Sequence, residues 1–573
     1  MTAFAPEQPG IAPVYRDDPR LEPLIGQGGQ FEIEEVVLDG VPLRVFVRAP
    51  RTILDTFAMG AAHAELVHLV HEGERLTFAD VRQRAYALAE QLRTTFGVRT
   101  GDRVAIAMRN RPEFVIGFWA GALLGAIVVP LNSWWTGPEL AYALTDAGAS
   151  VAFLDDERLD RVLAHGRPEG VQLIGVRSDR PADAPFDELV HGAPLADDQV
   201  AQLDPDDSVT ILYTSGTTGR PKGALGTNRG HMANIWNMAF GGAREAIITQ
   251  RPPAPARQPA TLAAQPMFHI GGIAAIIGSP MGGSKILIMR KWDLEGAIKL
   301  AVEEGLTAFG GVPTIARQII EYPGLEELGL DVRGFPMGGA AVPPDLPLKA
   351  RARFGENIQL LNGYGLTETT SAVVMNVGAE FTARPDSVGR PNLTADIKVV
   401  DPGGNPLGTG EVGELAFRSP QVVKGYWNDE AATKAVFVDG WFHSGDVGYV
   451  DAEGFVYVVD RIKDVVIRGG ENVYCAEVEA VLFEHPDIAE VAVVGLSEPT
   501  LGERVCAVVV PRASREVHLD GVREFAAAHL AAFKCPEALW VVDELPKTAT
   551  EKIAKNVLRD RLTEPRTAVE RMW

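Results

Sequence analysis

The chain is expected to fold as an α/β protein, with a large N-terminal body of two stacked α/β sheet subdomains plus a small β-barrel, and a smaller α+β C-terminal domain. Three observations predict this. Short apolar strand candidates alternate with helical patterns over the first half, the grammar of a parallel sheet covered by helices. From Thr394 to Ser419 the pattern changes to short strands and tight turns. Beyond Asp464 a further set of strands and helices begins, long enough for a domain of its own. The 573 residues are 46% hydrophobic and 23% charged, which supports a substantial core and excludes disorder as the main state.

Taken in order, residues 1–50 read as an N-terminal arm without the basic-then-apolar pattern of a secretory signal. Leu76 to Phe96 has helical spacing, and Asp102 to Met108 follows as a strand. Val115 to Pro130 is apolar but contains three glycines and ends in proline, so a buried helix and strand are expected rather than a membrane span. The Pro-rich run Arg251 to Ala260 reads as a surface insertion. The large domain is placed at 51–459, the boundary segment at 460–463, and the C-terminal domain at 464–573.

With 54 Lys and Arg against 76 Asp and Glu, the net charge is −22, and no basic block interrupts it. Such a surface repels phosphate backbones and anionic lipid, so neither a nucleic-acid partner nor integral membrane contact is expected. Cys475, Cys506 and Cys535 are widely spaced and form no C-x-x-C pair, which argues against a disulfide framework or zinc site and fits a cytoplasmic protein. A homodimer is the base-rate expectation for assembly.

The sharpest chemical signal is SVTILYTSGTTGRPKGA, Ser208 to Ala224, an apolar strand running into a loop of small and hydroxylated residues that ends in Lys222. Backbone N–H groups freed by glycine, the hydroxyls of Thr214, Ser215, Thr217 and Thr218, and the Lys222 ammonium together make a phosphate cradle. It is not the Walker pattern, because Gly223 rather than Ser or Thr follows the lysine. In LNGYGLTETT, Leu361 to Thr370, Tyr364 can stack on a base, Thr367 can bond a phosphate oxygen, and Glu368 is a hard ligand for Mg²⁺. Asp446 is acceptor-only at neutral pH and suits a pair of hydroxyls, and Arg461 offers planar donors.

These blocks, with GWFHSGDVGYVDAEGFVYVVDRIKD at Gly440 to Asp464 and LPKTATEKIAKNVLRDRL at Leu545 to Leu562, resemble in order the signatures of the adenylate-forming superfamily. That superfamily includes acyl-CoA synthetases, peptide-synthetase adenylation domains and luciferases. The resemblance runs from about residue 50 to residue 565. It implies ATP binding by Thr214, Ser215, Gly216, Thr217, Thr218, Lys222, Gly338, Gly339, Ala340, Asn362, Gly363, Tyr364, Gly365, Thr367, Asp446, Val458, Arg461 and Lys552. It implies Mg²⁺ at Thr218 and Glu368, and a hinge at Lys463 about which a mobile C-terminal domain turns. Lys552 takes the place of the catalytic cation, with Lys547 as the competing assignment and Glu551 standing where glycine is usual. His269 resembles a gate between acyl site and CoA entrance, or else is structural; with Gly338 and Gly363 it would line the acyl pocket. Gly469, Gly470 and Glu471 resemble the segment that meets coenzyme A. Cys475 departs from a common proline and reads as a buried inert thiol rather than a reactive one. Trp134 and Trp135 read chiefly as packing residues.

The reaction so implied is ATP-dependent ligation of a small carboxylic acid to CoA through an acyl-AMP, with AMP and pyrophosphate released. FGGVPTIARQ, starting at Phe309, and PMGGAAVPP, starting at Pro336, resemble segments lining the acyl pocket; no Arg or Asp in them would obviously pair a substrate amino group or second carboxylate, so a hydrophobic monocarboxylate is expected, fatty first and aryl or ring-bearing second. The alternatives are loading of a separate carrier protein, a luciferase-like oxygenase, and a non-catalytic binding module.

Overall fold

The computed structural model describes Tyr15 and residues 18–214, 220–250, 257–548 and 552–562. They fall into two compact units, one of Met1–Ile397 with Phe417–Phe442, the other of Lys398–Ala416 with His443–Trp573.

The first unit holds two α/β layers. A seven-stranded sheet has the order Lys222–Thr227, Ser208–Thr214, Ile127–Pro130, Arg103–Ala107, Ala149–Asp155, Gln172–Val176, Ala184–Pro185. All its neighbours are parallel except the first pair, which is antiparallel. Its central strands are buried on both faces, which is why they read as unbroken apolar runs. The apolar stretch before Pro130 is the buried helix Pro112–Leu123 followed by the strand Ile127–Pro130. Two four-stranded sheets make the second layer, one around Val67–His71 and Lys285–Ile288, the other around Gln359–Leu366 and Ser371–Val377. Bridges from Ala308 to Thr261 and to Gly334 join them. Among the described residues no helix is long and apolar enough to cross a membrane.

Two expectations change here. The described part of the N-terminal segment is not a separate arm: Leu21 and Phe31 bury against Trp236, Phe240 and Leu393. Phe31 is 1% exposed and lies 5.8 Å from the Trp236 ring and 5.5 Å from that of Phe240, an aromatic cluster that sequence distance concealed. The strands Ile33–Leu38 and Val41–Phe46 form a hairpin closed by Asp39 and Gly40, both at positive φ, as a two-residue turn requires. The end of the Pro-rich run is also no surface insertion. Gln258 donates to the carbonyls of Val67 and Gly283, and buried Ala260 opens the strand Ala260–Ala263; residues 251–256 lie outside the described residues.

The run from Thr394 to Ser419 supplies Asp396–Val400 and Gly413–Arg418 to a five-stranded sheet with Phe437–Val438, Trp441–Val450 and Val456–Arg461. Whereas the sequence suggested a division at 460–463, the second unit already includes His443. The hairpin Trp441–Val450/Val456–Arg461 is tied to the residues after it, since the Asp460 carboxylate accepts from Ala476 N at 3.3 Å; just past the hairpin, Asp464 pairs with Arg559. The rest of this unit is a five-stranded sheet centred on Gly502–Pro511, with helices Cys475–Phe483, Leu519–Ala527 and Lys555–Leu562.

Candidate active site

In the first unit the phosphate-loop segment is the connection of a hairpin. Thr214 ends one strand directly opposite Lys222, which begins the next. The geometry therefore closes the loop at its base; Ser215, Gly216, Thr217 and Thr218 lie outside the described residues. Lys222 Nζ stands 5.3 Å from the ring centroid of Tyr426, and the Tyr426 hydroxyl donates to Glu368 Oε1 at 2.8 Å. Burial, then the neighbouring Glu368 carboxylate, pushes the Tyr426 pKa up, so the phenol stays a donor.

Glu368, 8% exposed, sits in the 3₁₀ turn Thr367–Thr369 between two antiparallel strands. The turn is bent sharply, with Thr370 at φ 46° and Ser371 at φ 83°, a local strain that the surroundings must hold. Gly365 is required beside it, because a Cβ there would lie 1.8 Å from Ser371 O. Behind the turn Gln421 is fully buried. It accepts from Asn237 Nδ2 at 2.9 Å and Asn392 Nδ2 at 3.0 Å, and donates to Ala372 O at 2.9 Å and Thr369 O at 3.4 Å. Thr370 Oγ1 donates to the Gln421 carbonyl at 2.6 Å.

Gly338 and Gly363 are register partners on parallel strands, so close that a Cβ on Gly338 would meet Gly363 O at 2.8 Å. Asn362 is buried, Tyr364 is half-buried with its ring 5.9 Å from Phe417, and Gly339 (φ 80°) and Ala340 are exposed just past the strand. Half-buried His269 caps the helix Ile270–Gly282, its ring accepting from Gly271 N at 3.4 Å. Trp135 packs against Tyr213 at 6.0 Å, while Trp134 is 45% exposed beneath the Arg109 guanidinium at 3.5 Å.

The second unit brings together Asp446, Arg461 and Lys552. Asp446 and Arg461 are opposed in the hairpin and joined by an ion pair of 2.8 Å, the carboxylate buried and the guanidinium 46% exposed. Val458 lies on the same strand, opposite Gly448. Desolvation of its ammonium, then the positive charge of Arg461, lowers the Lys552 pKa, with Asp446 acting the other way. The competing Lys547 is instead paired with Glu490 at 3.0 Å. Lys463 is exposed in the turn after Arg461, inside the second unit. Gly469 and Gly470, at φ 61° and 89°, form the two-residue turn of the hairpin Val466–Arg468/Glu471–Val473, which exposes Glu471. The Cys475 thiol is buried, donates to Asp464 O at 2.9 Å, and is pushed up in pKa by that burial, as suits an inert cysteine.

Sequence reasoning missed Tyr426 and Gln421. The KGYW string sets two aromatics beside a glycine, which is a signal, but it lies outside the recognised blocks. Among the described residues no group of three or more His, Cys, Asp or Glu could hold a metal ion. The carboxylate of Glu368 fits Mg²⁺, which is held by few protein oxygens and completes its shell with phosphate and water.

Residues 57–427 match the AMP-binding enzyme family and residues 477–552 the AMP-binding enzyme C-terminal domain. The chain is similar to feruloyl-CoA synthase of an Amycolatopsis species, 36% identical over 87% of this chain and 96% of that protein. It is similar also to a long-chain-fatty-acid–CoA ligase of Mycobacterium tuberculosis, 34% identical over 85% of this chain and 93% of that one. Among solved structures it resembles the o-succinylbenzoate CoA synthetase of Bacillus subtilis in complex with its acyl-adenylate, with TM-score 0.75 and 30% identity over 91% of this chain and 99% of that chain. A fold with this layering, carrying the phosphate-loop lysine, the turn carboxylate and the C-terminal lysine in family order, agrees with those matches: the chain belongs to the AMP-binding enzyme family and is an acid–thiol ligase of the AMP-forming kind.

Proposed function

We propose that the protein activates a hydrophobic monocarboxylic acid with ATP and Mg²⁺ and transfers the acyl group to coenzyme A, with a fatty acid as the expected substrate. The observation that carries the reading is the meeting of Lys222 and Glu368 on one tyrosine at the base of the phosphate loop. A cation for phosphate and a hard oxygen for Mg²⁺ are what a nucleotide triphosphate needs. Bound Mg²⁺ would neutralise the departing pyrophosphate.

The chain's own residues supply the rest. An acid oxygen attacks the α-phosphorus, the bond to the β-phosphate oxygen breaks, and acyl-AMP and pyrophosphate result. Thr367 bonds an α-phosphate oxygen and Lys222 offsets phosphate charge, with Thr214, Ser215, Thr217 and Thr218 as further donors. Tyr364 faces the base and Asp446 accepts from the ribose, steadied by Arg461. Lys552 offsets the charge that gathers as carboxylate meets phosphate. In the second half-reaction the CoA sulfur bonds to the acyl carbon and AMP leaves; Gly469, Gly470 and Glu471 are proposed on its path, His269 as the gate, and Lys463 as the residue about which the domains turn between half-reactions.

A hydrophobic acid is supported by the segment around buried Phe309 and Val312, whose one charged side chain, Arg317, is already paired with Asp345. An aryl acid is the second reading, favoured by the 36% identity to a feruloyl-CoA synthase. Mass spectrometry of products from ATP, Mg²⁺, CoA and a mixed panel of fatty and aryl acids tests both. Aryl thioesters alone would refute the fatty reading, and acyl-adenylate without thioester would refute transfer to CoA. Lys552→Ala should abolish adenylate formation yet leave thioester formation from supplied acyl-adenylate; equal loss of both would remove Lys552 from the first step. Light scattering tests the proposed homodimer.

A further inference from the structure

Tyr426 touches two of the recognised blocks at once, and its backbone is held from both sides. Val423 N donates to Glu368 O at 2.9 Å, while Trp427 N donates to Gly223 O at 2.7 Å and Leu225 N to Gly425 O at 3.0 Å. Tyr426 N itself donates to Thr433 Oγ1 at 2.8 Å. Two glycines permit this threading. A Cβ on Gly425 (φ 143°) would lie 2.6 Å from Thr433 Cγ2, and one on Gly223 would lie 2.6 Å from Ile211 Cγ2. On a backbone so held, the ring presents its hydroxyl to Glu368 and its face to Lys222.

The geometry points to Tyr426 as the positioning residue for the nucleotide site, its hydroxyl orienting the Glu368 carboxylate toward the metal ion and its ring face steering the Lys222 ammonium toward phosphate. The inference rests on reading Glu368 as the Mg²⁺ ligand. A carboxylate with one oxygen engaged by a neutral donor keeps a single orientation and its full charge, which is how outer partners sharpen metal ligands. The ring face attracts the ammonium without neutralising it, whereas a carboxylate in that place would compete with phosphate for the lysine.

Three variants separate the parts: Tyr426→Phe removes the hydroxyl and keeps the ring, Tyr426→Leu removes both, and Glu368→Gln tests the underlying reading. Two quantities are measured: Mn²⁺ affinity in the presence of α,β-methylene-ATP, read from the paramagnetic signal of free Mn²⁺, and KM for ATP in adenylation at saturating Mg²⁺. Tyr426→Phe is expected to weaken Mn²⁺ binding about tenfold with KM for ATP unchanged. Tyr426→Leu is expected to add a rise in KM for ATP of about fivefold, the size of a lost cation–π contact. If Glu368→Gln weakens Mn²⁺ binding and Tyr426→Phe matches the parent protein, the positioning role is overturned while the ligand reading stands. If Glu368→Gln leaves Mn²⁺ binding unchanged, both fall. Tyr426→Phe loses no ring packing, so the Mn²⁺ result decides the matter even if the leucine variant does not fold.

Discussion

Replacing Gln421 by leucine should loosen the turn that carries Glu368. The side chain is fully buried and makes three bonds of 2.9–3.0 Å, from Asn237 and Asn392 and to Ala372 O, plus a weaker one of 3.4 Å to Thr369 O. Leucine has similar volume, so packing changes little, but those donors and acceptors lose a partner away from water. At about 1 kcal/mol for each of the three good bonds, the loss is about 3 kcal/mol. Asn237 and Asn392 keep second contacts to Thr394 Oγ1 and Ala372 O, which holds the figure near that value rather than the full desolvation cost. With the support gone, the positive-φ pair Thr370 and Ser371 can relax and move Glu368. Calorimetry should show the first melting transition lowered by several degrees, and adenylation, followed by pyrophosphate release, should need more Mg²⁺. A variant that melts and titrates with Mg²⁺ like the parent would refute the claim that this network holds the turn.

Three further outcomes are expected. With Lys552 as the proposed catalytic cation and its pKa below the ordinary 10.5, adenylation should fall as pH rises through that lowered value. Arg461→Gln should move this alkaline limb to higher pH and Asp446→Asn to lower pH, as a pH–rate profile will record; movement in the opposite senses would dissociate these charges from Lys552. Phe31→Ala should destabilise the first unit by about 3 kcal/mol, since it empties an aromatic cluster, and a melt that does not shift would return the N-terminal segment to the status of a loose arm. The buried thiols of Cys475, Cys506 and Cys535 should resist a thiol-reactive dye in the native protein and react on denaturation; rapid native labelling of Cys475 would contradict its burial and its bond to Asp464 O.

Much of the site was legible because its parts are local. Thr214 and Lys222 are eight residues apart and face each other across one hairpin, and Asp446 and Arg461 share another. Apolar runs announced the central strands because both faces of the sheet are covered. Tyr426 and Gln421 were not legible. Each meets Glu368 or its turn across some fifty residues, and on the page a tyrosine after Lys-Gly reads as a surface turn. The same holds for Phe31, whose partner Trp236 is two hundred positions away.

By itself, the sequence determined the family, the alternation of strands and helices, and the chemical character of the cations and carboxylates, since these depend on residue type and short spacing. Tertiary structure alone decided that the described N-terminal residues belong to the body and that residues from His443 onward join the second unit. It also decided that Lys552 rather than Lys547 faces Arg461 and Asp446, and that one tyrosine joins Lys222 to Glu368. Burial and pairing between distant segments make those choices, and no local pattern encodes which distant partner a side chain will find.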